Sequence, residues 1–539
     1  GVAYAGNPSL IILLTAINGI GYVAGALYFG RFIRRSRALT VAEYFGRRFD
    51  SRRVQAVAGL TVVIGCTAYL VMVTQGTATI VHEVTGLSFR LTLLLTWVGY
   101  TAFTLYSGSR GVVITDTMMF LLFSAVAFLG LAVVLEQAGG WSEAIRQLAT
   151  FGDKPGIISW HGVVGDGSAW NTPLDALIWA LILGVAWSIV VAVSPWQASR
   201  YLMARDEHTV LRSATITAGM VMALYLVLML CAAAINLINP DIDPAQESMI
   251  WAAMYAMPTP VGVLLMAGIM AAGLSSASTF LSLCGFSISN DILRKNEGED
   301  SSQLRNSRQT MLFIGVTALV IAWLLPQGRL FWVTYFAGTL FASSWGPVAF
   351  MSVWSKRITE AAAFWGILAG LLGNILTNGV LALGLADLPV VLDPILVGVL
   401  LSYLTIEAVS SKGRVSAAEN RQRAALHRVP VAERDAGKLR RTRLWALALV
   451  AGGALLAVFM LSRYALPYGS ARGEKATGEI LFALFCGAAL VIAGLLAMSG
   501  AKSSYQPPTE ACEPATSEPP GQDQVKSAGT PPPPSSARR

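Results

Sequence analysis

Thirteen apolar runs, most of them long enough to cross a bilayer, leave this chain few folds to choose from. They cover residues 9–30, 54–80, 91–107, 113–137, 174–199, 213–238, 259–288, 309–326, 330–354, 360–384, 391–409, 444–462 and 476–499. A helix spanning the ~30 Å hydrocarbon layer needs about 20 apolar residues. Its backbone must also close its own hydrogen bonds, which excludes irregular lipid-facing chain. Charged residues make up 13% of the chain, against roughly 25% in a soluble domain, and they collect in the short connectors. The class is an all-α polytopic membrane protein.

With alternate connectors on opposite sides, only Arg90, Arg146, Lys154, Arg329, Arg463, Arg472 and Lys475 of the 39 Lys and Arg fall on one side. The positive-inside rule makes the other side cytoplasmic. The chain then enters from outside at Gly1 and ends inside, multi-pass in the plasma or inner membrane. The net charge of +8 expresses this asymmetry, not nucleic-acid binding. Residues 411–443 read as a basic cytoplasmic connector and 444–499 as two additional transmembrane helices. The segment 500–539 is Pro-rich, cannot bury a core and is expected to be disordered. Position 1 is Gly and no signal-peptide pattern precedes the first run, so a truncated or processed N-terminus is expected. The external stretch 239–258 carries Asp241, Asp243 and Glu247 without Lys or Arg. Such a vestibule attracts cations, unless its carboxylates are simply solvated.

Chemistry-bearing patterns are scarce. Cys66, Cys231, Cys284, Cys486 and Cys512 show no metal-ligand spacing and no disulfide framework. No nucleophile–base pair or phosphate loop is visible, and GSRG at 108–111 does not meet the nucleophile-elbow pattern. The chain does not read as an enzyme, and no cofactor is expected.

The informative residues are polar groups inside apolar runs. Asp116, in SGSRGVVITDTMMF, sits about one turn inside the run 113–137. A carboxylate there is costly unless it faces protein, water or a cation. It either coordinates or exchanges a cation, or caps a helix start. In AAGLSSASTFLS, residues 271–282, Ala272, Ser275, Ser276 and Thr279 fall at i, i+3, i+4 and i+7, one helical face. Hydroxyls and a loosened carbonyl are the hard neutral ligands that suit Na⁺. The alternative is that they back-bond to their own helix or pack small against a neighbour.

Three ordered stretches resemble the sodium:solute symporter family: LTVAEYFGRRFDSR (39–52), SGSRGVVITDTMMF (107–120) and MAAGLSSASTFLSLCGFSISND (270–291). SPWQASRYLMARD (194–206) and the GPVAF…VWSKR run (346–357) add weaker support. The resemblance covers about residues 1–410. It implies a LeuT-type five-plus-five inverted-repeat bundle with substrate and ion sites at the midplane. Carried over by position, the sodium site takes the Ala272 carbonyl and the Ser275 and Ser276 hydroxyls, with Asp116 as an associated acid. Met119 stands where the family usually has Gln. The run 9–30 matches the second core helix, so the first core helix is expected to be lacking apart from a remnant near Gly1–Gly6.

Polar or aromatic groups in runs that line the family's central cavity are Tyr69, Gln75, Trp187 and Ser188, with Gln75 the first choice for a substrate contact. Trp332 and Tyr335 are expected to be interfacial anchors. The function expected is Na⁺-coupled symport of a small organic solute by alternating access. A proton-coupled carrier of the same fold, or a transporter-like membrane sensor, are the alternatives. Expected partners are the solute, Na⁺ and lipid, with no nucleic acid and no obligate protein partner.

Overall fold

The computed structural model describes residues 1–293, 300–326, 330–386, 388–389 and 392–503. The tail, and with it nearly all of the stretch expected to be disordered, lies outside the described residues. Among those described there is no strand, and eleven helices are long and apolar enough to cross a membrane.

The order begins with α1 (Pro8–Gly25), extended through a π turn at Ala26–Gly30 into Arg31–Arg35. The short α2 (Val41–Phe49) leads into α3 (Arg52–Thr85) and α4 (Phe89–Gln137). Then come α5 (Pro173–Val193), α6 (Pro195–Met203), α7 (Glu207–Ala234) and α8 (Thr259–Phe286). Next follow α9 (Asp300–Leu324), α10 (Leu330–Trp354), α11 (Glu360–Ala382) and α12 (Pro394–Lys412). The chain closes with α13 (Ala417–His427), α14 (Ala436–Met460) and α15 (Thr477–Ser503).

Local sequence sets these boundaries. The Thr40 hydroxyl accepts from Glu43 N at 2.9 Å and starts α2, and Asp206 accepts from Thr209 N at 2.7 Å and starts α7. Thr172 and Asp175 form a capping box on α5. Proline opens α1, α5, α6 and α12, where its missing N–H costs nothing.

Two boundaries differ from the sequence expectation. The runs 91–107 and 113–137 share one helical backbone in α4, so the break expected between them is absent. The run 174–199 does break, because Ser194 leaves the helical region (φ −56°, ψ 145°) before Pro195. A residue before proline is pushed towards extended backbone. The break sets α6 off as a separate helix and re-aims its side chains.

Helices α5 and α1 cross closely. A Cβ on Gly21 would sit 2.5 Å from the Ser188 side chain, so only glycine admits this approach. Ser188 Oγ shares its proton between Ile17 O at 3.1 Å and Gly184 O at 2.9 Å, joining the two helices. The hairpin α14–α15 lies against α1 and α7: Arg31 Nη1 donates to Gly500 O at 3.3 Å, and His208 Nδ1 sits 3.2 Å from Thr442 Oγ1. Helix α13 docks beneath α2, with Arg48 Nη1 donating to Glu419 O at 3.0 Å.

Residues Val2–Ala5 form a single turn. Tyr4 is buried there, donating to Asn239 O at 2.7 Å and lying under the Lys154 ammonium, 3.9 Å from its ring centroid.

Candidate ion and solute site

Helix α8 meets two neighbours on two faces. Gly268 packs beside Phe123 and Ser275 bonds Asp116, so one strip faces α4. Gly273 packs against Thr77, and Phe280 stacks on Tyr69 at 4.9 Å and 13°, so a second strip faces α3. At 100° per residue Ala272 and Ser276 fall between these strips. Both are half-buried, as is Ser275. The hydroxyl face singled out in the sequence therefore looks into the helix bundle.

Ser275 Oγ donates to Asp116 Oδ1 at 2.6 Å. The other carboxylate oxygen, Oδ2, accepts from Arg200 Nη2 at 2.8 Å. A serine hydroxyl that donates its proton keeps its lone pairs for a cation, and the carboxylate behind it strengthens their pull. Ser278 Oγ back-bonds to Ser275 O at 2.9 Å, so that hydroxyl is spent within the helix. The Ser276 hydroxyl makes no hydrogen bond to another described residue. The site thus offers two hydroxyls, a carboxylate and, between the strips, the Ala272 position.

Arg200 was not among the residues singled out in the sequence, where it counts only as a connector charge. The break at Ser194 brings it in: Trp196 and Arg200, four apart on α6, share a face. Arg200 reaches Asp116, while Trp196 meets Tyr69 at 5.0 Å, Phe280 at 5.6 Å and Phe341 at 5.3 Å. The proline after Ser194 and this i, i+4 spacing were the available signals.

Of the groups expected near solute, two come together. A Cβ on Gly338 of α10 would lie 2.7 Å from the Trp187 ring and 3.1 Å from Tyr69 Oη, so both aromatics converge on that backbone. The aromatic cluster begins one turn along α8 from Ser276, at Phe280. Ser188 is engaged with α1 as described. Gln75 is fully buried and donates to Ala322 O at 2.8 Å and Leu325 O at 2.7 Å, the free carbonyls at the end of α9. Its Oε1 has no partner among the described residues. Tyr335 is buried and donates to Asp393 Oδ2 at 2.5 Å, so it is not an interfacial anchor; the Trp332 side chain lies outside the described residues.

At the end of the bundle where α3 finishes, Glu83, Asp241, Asp243 and Glu247 line a cleft of ≈ 290 Å³. Burial, and then the charge of Glu83, raises the Glu247 carboxyl above its ordinary value. The acidic stretch seen in the sequence is gathered at one mouth.

The sodium:solute symporter family profile matches residues 3–370, more than half of the chain. The chain belongs to the sodium:solute symporter family. Membership places this symporter among the Na⁺-coupled secondary transporters. The sodium/pantothenate symporter of Escherichia coli is 24% identical over 356 residues, 65% of this chain and 71% of its own length. The sodium/proline symporter of Salmonella typhimurium is 25% identical over 362 residues, 62% of this chain and 66% of its own. A substrate-bound, outward-open Na⁺-coupled sialic acid symporter superposes with a TM-score of 0.63 at 19% identity, covering 77% of this chain and 85% of that one. The symporter therefore has the LeuT-type fold expected from its sequence.

Proposed function

We propose that this chain moves a small organic solute inward on the Na⁺ gradient, with the ion held on α8 by the Ala272 carbonyl and the Ser275 and Ser276 hydroxyls. The observation that supports it is the 2.6 Å bond from Ser275 to Asp116, which sets an ionisable partner against the hydroxyl face. Neutral oxygens bind Na⁺ weakly enough to release it each cycle, while the carboxylate next to them supplies attraction without enclosing the ion. The solute lies beside Tyr69 and Trp187 at Gly338, one to two turns from the ion. Ion and solute favour the same conformation, and that coupling is reciprocal. The acidic external cleft raises local Na⁺, and the C-terminus is cytoplasmic.

The test is uptake into liposomes with and without an inward Na⁺ gradient, screened first with proline, pantothenate and sialic acid, the solutes named for the relatives. Uptake that requires Na⁺ and is abolished in a Ser275→Ala/Ser276→Ala double variant supports the proposal. Uptake indifferent to Na⁺ but driven by a pH gradient would replace it with proton coupling.

A further inference from the structure

A second, unrelated cavity opens on the cytoplasmic side between the α1 extension, α2 and the connector helix α13. Its volume is ≈ 290 Å³, and Arg35, Arg47, Arg48, Asp50 and Gln422 line it. Three guanidinium groups against one carboxylate is a marked excess for a concave surface.

The charges that face it account for two of the three arginines. Arg35 pairs with Glu207 and Arg47 with Glu43. Among the described residues Arg48 has no such partner. It is 3% exposed and donates only to uncharged carbonyls, Ser352 O at 2.6 Å and Glu419 O at 3.0 Å. The Glu419 carboxylate is near enough for its charge to favour the Arg48 guanidinium, but its oxygens accept from Glu360 N at 2.6 Å and from Ser416 N and form no ion pair with it. A buried charge without a directly bonded counter-charge is costly, and here the influence of Glu419 is opposed by that of Arg423, so a guanidinium bonded among the described residues only to carbonyls favours a bound anion.

Unused donors remain as well. Arg35 Nε is buried without an acceptor, although its side chain is only 5% exposed. Arg423 Nε, on the same connector helix as Gln422, is in the same condition. Arg48 Nη2 makes no hydrogen bond to a described residue. Planar, always-charged guanidinium groups match tetrahedral oxyanions in number and geometry of donors.

We infer that this cavity binds a phosphate group, carried either by a free phosphate compound or by an anionic lipid headgroup. The bound phosphate neutralises Arg48 and ties α13 to α2. Basic pockets on the cytoplasmic side of membrane helices hold lipid phosphates by the same physics. Nothing in the ion or solute site takes part.

The experiment uses the purified full chain in two arms. In the first, thermal stability is followed against pyrophosphate, with potassium chloride at matched ionic strength as the control. In the second, native mass spectrometry counts retained phosphatidylglycerol against phosphatidylcholine. Saturable binding is expected in one arm, and which arm responds identifies the source. Three variants test the site: Arg48→Gln, Gln422→Glu and Asp50→Asn. Gln422 and Asp50 are exposed, and Asn tolerates the left-handed backbone at position 50 (φ 48°), so both fold even if the Arg48 variant does not. Gln422→Glu weakens and Asp50→Asn strengthens the affinity, each about threefold, as one charge about 7 Å away in a water-like dielectric requires. No saturable binding in either arm, or binding that both charge variants leave unchanged, overturns the inference.

Discussion

Ser275 donates its hydroxyl proton to Asp116 across 2.6 Å, joining the α8 face to a carboxylate 159 positions earlier in the chain. A hydrogen bond to a charged group contributes about 1.5–3 kcal/mol, and here it also aims the serine lone pairs. If the two act as one unit in holding Na⁺, their losses will not add. Ser275→Ala and Asp116→Asn should each raise the Na⁺ concentration for half-maximal uptake by about tenfold or more. The double variant should be little worse than Asp116→Asn alone. Strictly additive losses would separate the two residues.

Arg200 occupies the second oxygen of the same carboxylate at 2.8 Å. If Asp116 takes part in holding Na⁺, a fixed guanidinium there competes with the ion for the carboxylate. Both groups are partly exposed, so solvent moderates the competition. Arg200→Gln should therefore lower the half-saturating Na⁺ concentration about two- to fivefold, while Arg200→Lys should leave it close to the parent value. Na⁺ titrations of uptake check this, and a weaker Na⁺ response in the Gln variant would mean that Arg200 orients Asp116 rather than competing for it.

What the sequence could reveal followed from how local each signal is. Apolar run length is a local property, and so the helices stand close to where it put them. The hydroxyl face of α8 was readable because 100° per residue decides which side chains share a side. The partner of that face was not readable, since Arg200 reaches Asp116 only after the chain breaks at Ser194. Gln75 shows the opposite failure. An uncharged polar group inside an apolar run needs a partner, as expected, but nothing in the sequence says that the partner is the open end of α9.

Gln75 gives a clean discrimination between support and substrate contact. Its amide satisfies the carbonyls of Ala322 and Leu325. Gln75→Ala strands both acceptors in an apolar interior, at about 1–3 kcal/mol. Thermal stability in detergent should fall by several degrees, while the solute KM in the surviving fraction stays within about twofold. A tenfold KM increase at unchanged stability would instead return Gln75 to the solute site.

The connector's hold on α7 should depend on pH, and the sign is set by Asp206. This residue starts α7 and lies 2.9 Å from Lys438 Nζ at the foot of α14. Burial on its own would raise the carboxyl, but Lys438 and the two Thr209 hydrogen bonds outweigh it and lower the pKa to about 2. A depressed carboxyl stabilises the folded state fully above its unfolded value of about 3.9, and the contribution is lost as pH falls towards 2. Hydrogen exchange of the amides at residues 207–212 should therefore be flat from pH 7 to 5 once the chemical rate is corrected. Below about pH 4 it should accelerate. Asp206→Asn removes the charge, keeps the cap acceptor and should abolish that acid-dependent rise. A rise that survives in the variant would assign the acid dependence to a group other than Asp206.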